Sequence, residues 1–421
     1  MNYTLKNAFV YVDKGFVKAN VNVSEGRIVS VDDSILEGGR VFDFENCYIF
    51  PGLIDVHVHL REPGFEYKET IETGSKSAVK GGFTTICPMP NTKPTPDSAI
   101  VLEQILNRAK EVNLCNILPF SSVTKGEKGQ ELVDFKSQLE AGAIAFSDDG
   151  MPIENAAMIR EAMIEANKIG SFIAEHCEEK SVAAGAINAG PIADKLGVKG
   201  VYPEAEEIMA ARDVVLAETN NLRTHICHIS TKTTVDTIRS AKQRGVKVTC
   251  ETCPHYYSFT VEEVLNSGVN AKMNPPLREE KDRLAIIKGI QDGTIDAIIT
   301  DHAPHTAEEK AKGLATAPNG IIGFETALAA TITNLVKPGY ISYLDMARVM
   351  SYNPAKILGI DKGEISEGKD ADLTIFDPNK KYTYTEEMIV SKSHNTPWIG
   401  KELEGQVQYT IVGGRIVYEN K

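Results

Sequence analysis

The sequence predicts a (β/α)8 barrel with a small β-sandwich built from both chain ends. Three observations predict it: eight short apolar runs recur between residues 50 and 360, amphipathic stretches separate them, and both flanks alternate apolar and polar residues with little helical period.

The runs are GLIDVHVH, FTTICPMP, NILPFSSV, AIAFSDDG, SFIAEHC, RTHICHIS, VKVTCETC and DAIITDHAPH. Between them, stretches such as 98–112 and 233–245 are long enough to be the helices that parallel strands need as crossovers. Eight strand-then-helix units over roughly 300 residues suit a closed barrel with insertions. Residues 1–50 and 361–421 lie far apart in sequence, and strands there can pair only if the two ends fold together. They read as one small β domain, and 51–360 reads as the barrel. No internal repeat, low-complexity tract or long linker interrupts the pattern.

Composition bounds the partners. A chain of 421 residues with 42% hydrophobic and 24% charged residues has an ordinary globular balance. Its net charge of −13 argues against binding nucleic acid or an anionic membrane, and an acidic ligand would need a local cation. No run of 18 apolar residues is present, and the first residues, MNYTLKNAFVYVDKG, carry no basic and apolar leader, which predicts a cytoplasmic protein. Seven cysteines, an odd number set mostly in apolar runs, read as buried reduced thiols. The close pair in CETC (250–253) lacks a second pair to complete a metal site.

The chemistry lies at the strand ends, where barrels of this type carry their active sites. In GLIDVHVHLREPG (52–64), alternation of an extended chain puts His57 and His59 on one face, as two ligands of one metal would be. Later runs end in Asp148 and Asp149, His176, His225 and His228, and then Asp301, His302 and His305. Most of the nine histidines are in this set, which random placement would scatter. Asp148 and Asp149 face opposite ways, so only one enters the barrel mouth. His225 and His228 also fall on opposite faces of a regular strand, and His225, farther from the strand end, reads as structural.

Imidazoles and carboxylates without thiols describe a catalytic rather than a structural zinc site. A metal pair brings the pKa of bound water to about 7 and polarises a carbonyl, and an aspartate on the last strand can carry the proton to a leaving nitrogen. That is equipment for hydrolysing an amide or imide. Arg61 could grip a carboxylate in bidentate fashion, against the competing reading of a salt bridge with Glu62 or Glu66. Asn91 in MPNTKP and Asn274 in KMNPPLR can present amide groups to a ring or ureido group, against the competing reading of turn residues near proline.

PGLIDVHVHLREPG, GGFTT with PMPNTKP, AFSDDG, AEHCE, HICHIST, KMNPPLR, TDHAPH and APNGIIGFETAL follow in this order. Together they resemble the amidohydrolase superfamily and, within it, the type I bacterial dihydroorotases, over essentially the whole chain. The resemblance implies two zinc ions per subunit: His57, His59 and Asp301 on one, His176 and His228 on the other, with Asp149 and a hydroxide bridging them. It implies substrate contacts from Arg61, Asn91, Asn274 and His305, with Asn319 and Gly320 closing over the ring from a 306–320 lid, and Asp301 as catalytic acid and base. The implied reaction is the reversible cyclisation of N-carbamoyl-L-aspartate to L-dihydroorotate in pyrimidine biosynthesis.

Many relatives bridge their metals through a carboxylated lysine on the fourth strand, whereas AIAFSDDG has no lysine, so no carbamate is expected. Competing readings are a dihydropyrimidinase, hydantoinase or allantoinase, which would leave Arg61 without a purpose, and a non-catalytic scaffold for aspartate transcarbamoylase, which would typically lack the metal histidines. A homodimer and an association with aspartate transcarbamoylase stay open on sequence alone.

Overall fold

The computed structural model describes residues 2–13 and 15–420. Strands Leu53–Val58, Phe83–Pro88 and Asn116–Ile117 pair in parallel, as do Ile173–Glu175, Thr224–Ile226, Val248–Thr252 and Ala297–Ile298. Single parallel bridges complete the circle: Phe146 pairs with Ser121 and with Ile173, and His302 pairs with Val58. The eight runs therefore close in sequence order, as the barrel expected from sequence requires.

The fourth run makes bridges rather than a strand because side chains replace ladder bonds there. The Asp148 carboxylate accepts from the backbone N–H of Val123 (2.7 Å) and Thr124 (3.1 Å), and Ser147 Oγ donates to the Ala174 carbonyl (2.8 Å). Closure between first and last strands is tied by a buried carboxylate: Asp55 accepts from His57 N (3.2 Å), Thr300 N (3.1 Å) and Thr300 Oγ1 (2.6 Å).

The connecting helices begin where the sequence caps them. Thr231 accepts from the backbone N–H of Thr234 and starts the helix Lys232–Gln243, whose Val235, Ile238 and Ala241 bury one stripe against the barrel at helical spacing. The helix Ile71–Lys80 starts at a capping box made by Thr70 and Thr73.

Strands from both chain ends form one eight-stranded sheet. It forks at Tyr3–Val12, which pairs with Gly15–Ser24 on one edge and with Arg40–Asp43 and then Tyr48–Pro51 on the other. Leu373–Thr383 and Glu402–Val412 extend the Tyr48–Pro51 side, and the rings of Phe42 and Phe44 meet Tyr409 at 5.9 and 5.0 Å, joining the two leaves.

The segment between those last two strands returns to the barrel mouth. Ser391 donates to Glu69, and Asn395 donates to the carbonyls of Ala303 (3.0 Å) and Gly320 (2.9 Å) while accepting from His305 N (3.0 Å). All seven cysteines are free, and six are buried. Among the described residues, no helix is long and apolar enough to cross a membrane.

Candidate active site

The strand ends converge on a cavity of about 220 Å³. Eleven of the twelve residues to which the resemblance gives site roles line it; the twelfth, His57, lies fully buried behind His59 and Asp149. Asp149 is the centre of the cluster. Its Oδ1 lies 3.3 Å from His57 Nε2 and 3.4 Å from both His176 Nδ1 and His228 Nε2, and its Oδ2 lies 3.5 Å from His59 Nε2. Asp301 Oδ1 stands 3.0 Å from His59 Nε2 and 3.8 Å from His57 Nε2.

The expected division of the paired residues holds for the aspartates, with Asp148 on the 123–124 backbone and Asp149 in the cluster. For the histidines the regular-strand picture needs correction: His225 and His228 both point into the barrel, at different depths. The strand stops at Ile226 and His228 takes φ +30°, which turns its ring into the mouth. His225 sits below, its Nε2 on Glu251 Oε2 (2.9 Å) and its Nδ1 on Thr249 Oγ1 (2.8 Å), the structural role expected of it. Arg61 (φ +62°) and Asp301 (φ +47°) also adopt left-handed backbone, a strain that persists only where the surroundings enforce it.

Hydrogen bonds behind the cluster fix which ring nitrogens face inward. A carboxylate only accepts, so His57 Nδ1 donates to Glu251 Oε1 (2.7 Å) and Nε2 faces the cluster. His59 Nδ1 lies 2.9 Å from Asn91 Oδ1, which turns Nε2 toward Asp301 (3.0 Å). His57 Nε2 and Asp149 Oδ1 are fully buried and have no hydrogen-bond partner. Burial opposes charge on Asp149, yet His57, His176 and His228 outweigh it and hold the carboxyl well below the ordinary range. Asp301 is likewise held low, with His59, His57 and His228 overcoming its burial.

On the opposite wall stands Arg61, 8% exposed. Its Nε donates to the Pro304 carbonyl (3.3 Å). Its other neighbour, His305 Nε2 at 3.3 Å, is no acceptor, because that nitrogen donates to the Asn319 carbonyl (2.7 Å). Among the described residues, no carboxylate lies within 4 Å of the guanidinium, while Glu62 pairs with Arg108 (3.3 Å) and Glu66 accepts from Gly64 N (2.7 Å). Both salt-bridge readings of Arg61 are therefore set aside. Burial lowers Arg61 to about 10, so it stays charged at neutral pH, whereas burial and the cations of Arg61, Lys68 and Lys310 push His305 down to about 2 and keep it neutral.

A dihydroorotase of Aquifex aeolicus is 46% identical to this chain over 402 residues, 95% of each protein. The chain belongs to the dihydroorotase family. Other dihydroorotases agree: that of Bacillus thuringiensis is 43% identical over 424 residues (100% of this chain, 99% of that one), and that of Acetivibrio thermocellus 44% over 404 (96% and 95%). The family model "Dihydro-orotase-like" matches residues 46–234 and "Amidohydrolase family" matches 214–418. Among solved structures, an L-hydantoinase from Arthrobacter aurescens superposes with TM-score 0.88 at 25% identity, covering 99% of this chain and 96% of that one. A dihydropyrimidinase from Brevibacillus agri gives 0.86 at 23% identity, covering 100% and 96%, a likeness of fold.

The amidohydrolases are metal-dependent enzymes, and the cluster in this dihydroorotase-family chain fits metal ions. His57, His59 and Asp301 form one group whose ligand atoms lie within 4.8 Å of one another, and His57, Asp149 and His228 form another. Imidazole nitrogens and carboxylate oxygens converge here, with His57 Nε2 and Asp149 Oδ1 left without a hydrogen-bond partner, an arrangement that divalent ions complete.

Sequence reading missed the residues behind the ligands. Glu251, inside CETC, holds both His57 and His225, and its buried carboxyl stays ionised because those imidazoles outweigh its burial. An acidic residue in the middle of an apolar run was the available signal. Glu178 holds Asn274 Nδ2 (2.9 Å), and Lys68 donates to His305 Nδ1 (3.3 Å). Glu251→Gln should free the His57 ring and weaken metal binding by about 10–100-fold, measured by competition with a chromophoric chelator; unchanged affinity would deny Glu251 that role.

Proposed function

We propose that this chain catalyses the reversible cyclisation of N-carbamoyl-L-aspartate to L-dihydroorotate in de novo pyrimidine biosynthesis, as a zinc enzyme of the cytoplasm. The observation that carries this reading is the buried guanidinium of Arg61, with no carboxylate within 4 Å among the described residues, facing an imidazole and carboxylate cluster across one cavity. Dihydroorotate carries a carboxylate for Arg61, whereas hydantoin and dihydrouracil carry none and would leave it unpaired at a cost.

His57, His59 and Asp301 would hold one zinc ion, and His176 and His228 a second, with Asp149 shared between them. The fourth strand offers no lysine, so assembly should need no bicarbonate. Ions bound there would lower the pKa of water and polarise the ring carbonyl.

The chain's own groups do the rest. Arg61 receives the carboxylate, and His305, its N–H held by the Asn319 carbonyl, lines the substrate site beside it. Asn91 has its oxygen committed to His59, so its Nδ2 is the donor it offers the ligand, while Asn274 has its Nδ2 committed to Glu178 and offers its oxygen to a ring or ureido N–H. The backbone at Asn319 and Gly320 closes one wall, from a 306–320 segment that we read as a lid. In the hydrolytic direction, Asp301 accepts the proton of the attacking water and returns it to the ring nitrogen as the nitrogen–carbonyl bond breaks. In the biosynthetic direction the same carboxylate takes a proton from the ureido nitrogen as it attacks the side-chain carboxyl group, and delivers it to the departing oxygen, which leaves as water.

We further propose that residues 1–50 with 361–421 form one domain and 51–360 the catalytic one, and that the chain works as a homodimer able to associate with aspartate transcarbamoylase. Purified protein should form dihydroorotate from carbamoyl aspartate and turn over dihydrouracil at least about 100-fold more slowly, the discrimination expected when a site's buried polar group loses its partner. Comparable turnover of dihydrouracil would favour the hydantoinase reading.

A further inference from the structure

One wall of the substrate pocket is the turn at Asn319 and Gly320, whose Asn319 carbonyl accepts from His305 Nε2 (2.7 Å). Such a turn needs something to fix its carbonyls. Gly320 cannot carry a side chain there: a Cβ would lie 2.6 Å from the Ala303 Cβ and 3.2 Å from His305 Cδ2, at φ +130°. The turn thus sits directly against the ligand-facing histidine.

Lys310 lies under this turn. It ends the short helix Ala307–Lys310, is 3% exposed, and sends its ammonium to three carbonyls: Gly320 (3.0 Å), Pro318 (3.1 Å) and Lys272 (3.2 Å). Those acceptors use all three N–H donors of an ammonium. No carboxylate lies within 4 Å of it among the described residues, and burial, with the charge of Lys272, whose own Nζ donates to the Ala317 carbonyl (2.6 Å), pushes its pKa down to about 7. A buried cation without a counter-ion is a costly way to hold a loop. What the ammonium adds is orientation of carbonyls.

Two of the three acceptors have other donors: Gly320 O also accepts from Asn395, and Lys272 O from Gly320 N (3.0 Å). Pro318 O has Lys310 as its hydrogen-bond donor among the described residues. The Pro318–Asn319 peptide, one residue before the carbonyl that receives the His305 proton, is therefore the part of the wall most dependent on the ammonium.

We propose that Lys310 is a positioning residue for substrate binding: its ammonium sets the Pro318–Gly320 backbone and, through the Asn319 carbonyl, the orientation of His305 beside Arg61. This rests on the dihydroorotase reading above.

The test compares wild type with Lys310→Met, which keeps length and removes the charge, and with Lys310→Gln, which keeps part of the donor set. Each protein is assayed in both directions, with metal content and thermal midpoint measured on the same sample. Lys310→Met should raise KM for dihydroorotate and for carbamoyl aspartate tenfold or more, with kcat reduced less than threefold and metal content unchanged, and Lys310→Gln should fall between. A folded Lys310→Met with wild-type KM would overturn the inference, as would loss of folding in both variants, which would make Lys310 a stability residue. Wild type without dihydroorotate turnover would instead sink the reading on which the inference rests.

Discussion

Replacing Arg61 by methionine should lower kcat/KM for dihydroorotate by roughly two to three orders of magnitude while leaving metal content and fold intact. The guanidinium is buried beside a neutral histidine and has a single backbone acceptor, so a carboxylate placed there makes charge-assisted hydrogen bonds with little screening by water. Removing one partner of such a pair costs about 3–4 kcal/mol, because the substrate carboxylate would then be desolvated without compensation. Two controls sharpen the result. Lys at position 61 keeps charge but not the planar fork and should recover only part of the loss. Turnover of dihydrouracil, which has no carboxylate, should be nearly insensitive to the substitution. Wild-type affinity for dihydroorotate in Arg61→Met would refute the assignment.

Asp149→Ala should remove both metal binding and activity. Its two oxygens reach four imidazoles, with Oδ1 facing three of them and Oδ2 the fourth. With alanine there, the two proposed ion positions would lose their common ligand and four histidine nitrogens would lose the negative charge that organises them. The expected outcome is a fall from two metals per chain to one or none, and a loss of turnover of roughly 10²–10³-fold or more. Elemental analysis of gel-filtered protein gives the count, and an unchanged count would end the bridging role. Asp148→Asn should leave metal content near wild type, since Asp148 spends its carboxylate on the 123–124 backbone.

Sequence carried the barrel because every strand that lines it is a short apolar run ending in polar residues, and both properties are local. It carried the cluster for the same reason: His57, His59, Asp149 and Asp301 sit at run ends. What it could not carry was anything set by the ring closing. That Glu251 reaches His57 depends on the first and seventh strands meeting the same interior layer, 194 residues apart in sequence. Asn395, 90 residues from His305, enters because the last sheet connection folds back over the mouth. His228 departs from strand alternation because a left-handed φ ends the strand early, and alternation rules presume a regular strand. The fourth run looked like a strand and forms only bridges, since Asp148 supplies from its side chain what a ladder would supply from backbone.

The most direct measurement is anomalous diffraction at the zinc edge from crystals grown with dihydroorotate. The predicted result is one peak among His57, His59, Asp149 and Asp301, a second among Asp149, His176 and His228, and the ligand carboxylate on Arg61. Density for the ligand with its carboxylate away from Arg61, or no anomalous peak within reach of Asp149, would contradict it.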